Sequence, residues 1–340
     1  MSVTLHDVAR AAGVSIKTVS NVINDYPHVR DATRTRVREA IDALDYQPNL
    51  TARSLRSGRT GAIALALPEL SLSYFAELAD SVIEAAENIG QVVIIERTGG
   101  DRDRELQMLT SWRRKMTDGL IFSPLGMGME DAARLSVSYP LVLLGERIFG
   151  GPTDHITMKN VDAARAATEH LIGLGRRRIA VVGAHKDEVV GSAGLRLTGY
   201  RQALDAAGIA FDERLIAYTT LWHRSNGATA MHDLLERDVE FDAVFGLNDT
   251  LALGAMRVLQ ESGRHIPVDV SVIGFDNLDE SMYSLPSLTT VDPGRTQIAR
   301  TAVQSIMERM DGHENVAPRE ILADFRIVER ESTARVITSS

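Results

Sequence analysis

Two groups of residues in this 340-residue chain have types and spacings suited to recognition rather than packing. The first is Ile16, Lys17, Ser20 and Asn21, a donor-rich set close to the N-terminus. The second is spread along the chain at the ends of short apolar runs: Ser71, Ser73, Tyr74 and Phe75, then Glu146 and Arg147, then Arg196, Trp222, Asn248 and Asp276. A carboxylate can accept from two adjacent hydroxyls, a planar guanidinium can donate to ring oxygens, and an indole face can stack on the C–H face of a sugar. Together these are the parts of a carbohydrate site. Simpler roles fit the same residues: Asn248 and Asp276 as helix caps, Arg196 in a surface ion pair, Trp222 in a core. Asp249 is assigned to capping.

The first group is positioned by TLHDVARAAGVSIKTVSNVIN, Thr4 to Asn24. Thr4 is placed to cap a first helix, with Asp7 three residues on and Val8, Ala11 and Ala12 as its apolar stripe. Gly13 ends that helix tightly. Ser15 caps a second helix whose Val19, Val22 and Ile23 face inward, leaving Ile16, Lys17, Ser20 and Asn21 outward. A short helix, a glycine turn and a second helix with polar outward residues predict a helix-turn-helix of the kind that enters the major groove of DNA. An ordinary helical hairpin would share the pattern. Residues 31 to 46 read as a third helix, with Val37, Ile41 and Leu44 inward, closing a core too small to stand alone. In the following YQPNLTARSLRSGRTG, Pro48 is expected to stop that helix and Asn49 to cap a very short new one. At about two turns, such a segment needs a partner to fold against.

The second group requires a different frame. From Gly61 the runs GAIALALP, QVVIIER, GLIFSP and PLVLLGE, and later RIAVVGA, AVFGLND and VSVIGFDN, are short, β-branched and unbroken, as buried parallel strands are. Stretches of helical spacing separate them. Two successive α/β units of this kind predict two parallel sheets flanked by helices, about 61–160 and 161–290, with the final segments crossing between them. Ligands in such sheets bind beyond the carboxyl ends of the strands, here in the cleft between two facing units.

The charges divide in the same way. The first sixty residues carry nine Lys and Arg against six Asp and Glu, a net of +3, so the total of −9 leaves −12 for the rest. A basic end favours phosphate contacts, and an acidic body discourages stray ones. The absence of cysteine excludes disulfides, thiol catalysis and thiolate metal sites. No GxxxxGK[ST], HExxH or GxSxG occurs, and Gly126 and Gly128 lack the third glycine of a dinucleotide loop, so no enzyme chemistry, cofactor or metal is expected. There is no bilayer-length apolar run or apolar leader, which predicts a cytoplasmic protein with no membrane partner.

The N-terminal segment resembles that of the LacI/GalR family of bacterial transcriptional regulators, and the resemblance continues through the chain. It implies an all-α helix-turn-helix headpiece (1–48), a hinge helix and linker (49–60), and a periplasmic-binding-protein-like body (61–340) for effector binding and dimerisation. By position, Ile16, Lys17 and Asn21 match the family's base-reading residues, and Leu55 matches a leucine wedged between central base pairs, a step that kinks the duplex. Thr4, Ser15, Thr18, Ser20, Asn49, Ala52, Arg53 and Arg56 complete the implied DNA contacts. Arg196, Trp222, Asn248 and Asp276 match effector-binding positions. Three departures stand out. Asn21 replaces the usual arginine, which shifts base preference from guanine toward adenine. Arg30 replaces a serine, leaving Asp31 as a substitute cap for the third helix, and Glu146 replaces an aspartate.

The resemblance further implies a homodimer on a near-palindromic operator, repression of sugar-utilisation genes, and a small carbohydrate effector. A purine or nucleoside effector is the alternative, since an indole also stacks on a base, and a solute-binding receptor is a more remote one. The C-terminal RESTARVITSS has no leucine heptad, which favours a dimer over a tetramer.

Overall fold

The computed structural model describes residues 3–23, 26–46, 59–111, 116–237, 239–312 and 316–334. The chain divides into two compact units, Met1–Thr60 and Gly61–Ser340.

In the first unit, α1 (Leu5–Ala12), α2 (Ile16–Ile23) and α3 (Asp31–Ala43) enclose a small core of Val8, Ala9, Ala12, Val19, Val22, Val37, Ala40 and Tyr46. The Asp7 carboxylate accepts from the Thr4 amide at 3.0 Å and the Thr4 hydroxyl at 2.6 Å, fixing the start of α1. Gly13 adopts φ 64°, and the Val14 amide reaches back to the Ala9 carbonyl at 3.0 Å, a left-handed stop that a side chain would strain. The Ser15 hydroxyl caps α2 by accepting from the Thr18 amide at 3.1 Å.

Four sequence expectations are corrected in this unit. Ala9, not Ala11, completes the stripe of α1, because its β-carbon falls between Val8 and Ala12 on the inner face. Ile16 is only partly outward and packs against the small core. Helix α3 ends at Ala43, well before Pro48: Asp45 turns left-handed at φ 46°, and the Tyr46 amide closes on the Ile41 carbonyl at 3.0 Å, which buries the Tyr46 ring. Asp31 is the first helical residue rather than the cap, a position held by Arg30, so its charge favours the helix only through the dipole.

The second unit contains two six-stranded sheets. The first lobe uses β1 (Ala62–Leu67), β2 (Val92–Arg97), β3 (Gly119–Phe122), β4 (Leu141–Leu144) and β5 (Asp154–Met158), in the order β2-β1-β3-β4-β5, with β11 (Glu320–Ala323) beside β5. The second lobe repeats the plan with β6 (Ile179–Ala184), β7 (Ile216–Tyr218), β8 (Ala243–Gly246), β9 (Ser271–Phe275) and β10 (Thr289–Asp292), in the order β7-β6-β8-β9-β10, with β12 (Arg326–Val328) beside β10. Every pairing is parallel except β10 with β12, so the second sheet is mixed at one edge rather than wholly parallel. The central strands β1, β3, β6 and β8 are buried at every residue, which explains their unbroken apolar runs.

Helices α4 (Ser73–Glu87), α5 (Arg102–Thr110), α6 (Asn160–Gly173), α7 (Ser192–Ala206), α8 (Arg224–Glu236), α9 (Asp249–Glu261), α10 (Asp279–Tyr283) and α11 (Arg295–Met310) connect the strands. The chain passes between lobes three times: from β5 to β6 through α6, from β10 to β11 through α11, and from β11 to β12.

Strand β5 is buried although it opens with Asp154 and His155. Asp154 is held by Arg309, from Nε at 3.0 Å and Nη2 at 2.6 Å, and by Arg319, from its amide at 2.9 Å and Nη2 at 2.8 Å. Burial pushes the carboxyl up, but the two guanidinium groups more than offset this and hold it at about 2.

Candidate functional site

In the first unit, the exposed N-terminal face of α2 presents Lys17, with Ser20 and Asn21 half-buried beside it. Ser15 and Thr18 are tied to each other, hydroxyl to hydroxyl at 2.9 Å, so both serve the start of the helix while remaining at its surface. Thr4 is engaged by Asp7 in the same manner. The expected hinge residues Asn49, Ala52, Arg53, Leu55 and Arg56 lie outside the described residues.

In the second unit, a cavity of about 600 Å³ lies between the lobes, beyond the carboxyl ends of strands from both sheets. The first lobe supplies Tyr74 and Phe75 from the start of α4, Ser123 after β3, Glu146 and Arg147 after β4, and Thr157 from β5. From the second lobe come His185 and Glu188 after β6, Ser192 and Arg196 from α7, Trp222 before α8, Asn248 after β8 and Asp276 after β9.

Arg196 is the centre of this arrangement. It stands in the second turn of α7, which begins at Ser192. The side chain is buried. Its Nε donates to Asn160 Oδ1 at 2.8 Å, Nη1 donates to the Leu247 carbonyl, and the guanidinium lies 3.6 Å from the Phe275 ring centroid. The Asp276 carboxylate stands 3.8 Å from Nη2. Burial drives Asp276 up to about 8, with Arg196 opposing and Asp249 and Glu146 reinforcing the rise. Asp276 itself sits at φ 111°, and α10 starts three residues later behind Leu278, so it caps no helix.

The Trp222 indole donates to the Gly183 carbonyl at 2.8 Å, which fixes the ring against β6. Gly183 sits at φ 108° and close to Leu251: a β-carbon built there would stand 2.2 Å from Leu251 Cδ1 and 3.4 Å from Trp222 Nε1. Asn248 serves two ends, accepting from the Leu251 amide at 2.7 Å as the cap of α9 and donating to the Trp222 carbonyl at 3.3 Å. Asp249, expected to cap, instead accepts from Leu278 N–H at 2.9 Å, Ser281 at 2.7 Å and Thr290 at 2.5 Å, tying down the loop that carries Asp276. Burial lifts it to about 6, with those three donors opposing.

Several contacts join the lobes. Ser192 donates across the cleft to Glu146 Oε2 at 2.7 Å and Arg147 stands 3.6 Å from Glu188, while Thr157 of the first lobe itself donates to the other Glu146 oxygen at 3.1 Å. His223 lies 3.3 Å from Glu69. Ser71 and Ser73 are absent from the cavity wall: Ser71 bonds Glu69 and Ser73 bonds Glu280, each at 2.9 Å. Reading strand ends missed Glu188, His185 and Ser192, although the same rule covers them, since all three follow β6. Burial pushes the Tyr74 hydroxyl well above the usual phenol range, reinforced by the charges of Glu146 and Asp276.

Among the described residues no cluster of three or more His, Asp or Glu is arranged to hold a metal. No helix there is long and apolar enough to cross a membrane.

Comparison with known proteins matches residues 4–49 to bacterial regulatory proteins of the lacI family and residues 168–333 to a periplasmic binding protein-like domain. The transcriptional regulator CelR of Thermobifida fusca is 34% identical over 97% of this chain and 98% of its own. The transcriptional repressor PurR of Vibrio atlanticus is 33% identical over 90% and 92%. Among solved structures, a putative LacI-family regulator from Sanguibacter keddieii is 50% identical, with TM-score 0.75 over 81% of this chain and 99% of that one. A CelR–cellobiose complex is 31% identical, with TM-score 0.71 over 97% and 99%. The lac repressor dimer bound to operator and the anti-inducer ONPF is 28% identical, with TM-score 0.81 over 98% and 99%. The helix-turn-helix unit, the two-lobed body and relatives matched over nearly their full length lead to one conclusion: the chain belongs to the LacI family of bacterial regulatory proteins and is a DNA-binding regulator of transcription.

Proposed function

We propose that this regulator represses sugar-utilisation genes and that a small carbohydrate in the interlobe cavity sets its affinity for operator DNA. The observation that carries the effector class is the company of the Trp222 indole: Arg196, Asp276, Glu146 and Asn248 all line the same cavity. An apolar plate flanked by polar hydrogen-bonding groups suits a molecule with a C–H face and a hydroxyl rim. The cellobiose complex of a relative supports the same class. A purine or nucleoside would also stack on the indole, and it is the competing effector.

On DNA, two chains form a homodimer on a near-palindromic operator, because two-fold protein symmetry calls for two related half-sites. Each places α2 in a major groove, with Ile16, Lys17 and Asn21 toward base edges; Thr4, Ser15, Thr18 and Ser20 support the backbone contacts. Asn49, Ala52, Arg53, Leu55 and Arg56 are assigned to the minor groove. Ligand acts by rearranging the contacts that join the lobes, Glu146 with Ser192 and Arg147 with Glu188.

A thermal-shift screen of neutral mono- and disaccharides, sugar phosphates and nucleobases tests the effector class, since a ligand held only by the folded state raises the melting temperature. A sugar response abolished by Trp222→Ala supports the reading; a response to nucleobases alone replaces it with the competing one.

A further inference from the structure

Glu188 belongs to no helix or strand, yet much of the polar chemistry on one wall of the cavity converges on it. Its Oε1 accepts from the Ala193 amide at 3.1 Å and the Gly194 amide at 3.2 Å, the free N–H groups in the first turn of α7. Its Oε2 accepts from His185 Nδ1 at 2.8 Å and faces Arg147 Nη1 at 3.6 Å. The backbone is shaped for this: Gly191 sits at φ 137°, and a β-carbon there would stand 2.4 Å from Glu188 Oε1. Burial pushes the carboxyl up, but the hydrogen bond and charge of His185, the Gly194 amide and Arg147 outweigh it and hold Glu188 below the usual carboxylate range.

The other cationic groups of the cavity are also committed. Arg147 donates to the Met127 carbonyl at 3.4 Å and the Val190 carbonyl at 3.3 Å, in addition to facing Glu188. Arg196 is spent on Asn160, Leu247 and Asp276, and His223 faces Glu69. Glu146 bonds only hydroxyls, those of Thr157 and Ser192, and shares with Asp276 the charge of Arg196. A helix N-terminus beside an arginine is otherwise where an anion would settle.

We infer that Glu188 is a specificity-determining residue that occupies the cavity's anion position from within, restricting the effector to uncharged polyhydroxyl molecules and rejecting phosphorylated or carboxylated sugars. The inference rests on the sugar reading above. It adds a sign of charge to it: a phosphate entering here would meet Glu188 and Glu146 without a free cation to receive it, and like charges at such range in a partly dry site repel strongly.

The test is calorimetric titration of the full chain and of Glu188→Gln with glucose 6-phosphate, inorganic phosphate and neutral glucose and cellobiose. Glutamine keeps the shape and can still accept from the α7 amides, but it frees Arg147 from its countercharge. Wild type is expected to show no heat with either phosphate at millimolar concentration, and Glu188→Gln to gain at least tenfold in affinity for glucose 6-phosphate. Saturable phosphate binding by wild type overturns the inference without the variant, as does a Glu188→Gln protein that folds and gains nothing. Wild type indifferent to every neutral sugar, with the phosphate gain present in Glu188→Gln, would count against the sugar reading alone and support the charge rule.

Discussion

The two units of this chain keep their working residues in opposite places. In the first, a core of seven valines and alanines and the Tyr46 ring holds three helices, and the candidate DNA-reading residue Lys17 stands outside it, taking no part in packing. In the second, the candidate ligand residues Arg196, Asn248 and Asp276 are themselves buried, and each also supports or abuts a structural element. Recognition and stability are thus separable at Lys17 in the first unit, though not at Ile16 or at the caps Thr4 and Ser15, and entangled in the second. A surface residue there changes at little structural cost, whereas a buried charge in the body cannot lose its partner without leaving an uncompensated group.

The strongest way to break this contrast is at Asp154. Asp154→Asn removes the carboxylate shared by Arg309 and Arg319 and is expected to destabilise the body by about 3–5 kcal/mol in urea unfolding. Because this carboxyl lies at about 2 in the folded chain against an ordinary 3.8, its contribution is complete above about pH 4. It should fade as pH falls toward 2, and the variant should lack that part of the acid transition. Equal stability of the two proteins at pH 7 would show that the cluster is dispensable.

Next in size is Asn21→Ala, expected to weaken operator binding by about 1–3 kcal/mol and to relax preference at one base pair per half-site. The ligand-induced thermal shift of the body should be unchanged. A loss of sugar response in this variant would join what the comparison separates. The smallest effect belongs to Ser15→Ala, which deletes the cap of α2 at a cost of about 1 kcal/mol in the stability of the headpiece, read by amide exchange of α1 to α3. Faster exchange in the body strands as well would contradict local independence.

The same contrast explains what could be read before the fold was known. Helices α1 and α2 were legible because their caps, Thr4 with Asp7 and Ser15, and the Gly13 stop are local signals. The central strands were legible because burial on both faces leaves nothing but apolar residues. Strand β5 was hidden: Asp154 and His155 look like a loop until Arg309 and Arg319, more than 150 positions away, neutralise the aspartate. Strands β10 to β12 were hidden likewise, with Thr289 and Thr290 buried against hydroxyl and carboxylate partners that no local pattern announces. In the cavity, strand-end reasoning singled out Arg196, Asn248 and Asp276 as polar residues out of place for packing, and Trp222, which lines the cavity while also packing on the core. It missed Glu188 because its role depends on amides contributed by the following helix, and it included Ser71 and Ser73 because position after β1 does not specify which way a hydroxyl turns.

Coupling between the cavity and the operator is tested most directly by fluorescence anisotropy on an operator duplex selected from a random pool, titrated with protein alone and with protein saturated by a neutral sugar that raises its melting temperature. Allosteric coupling of ordinary size, about 1–3 kcal/mol, predicts a change in operator affinity of roughly 5–150-fold. A sugar that fills the cavity, with Trp222→Ala abolishing its binding, yet leaves operator affinity unaltered would contradict it.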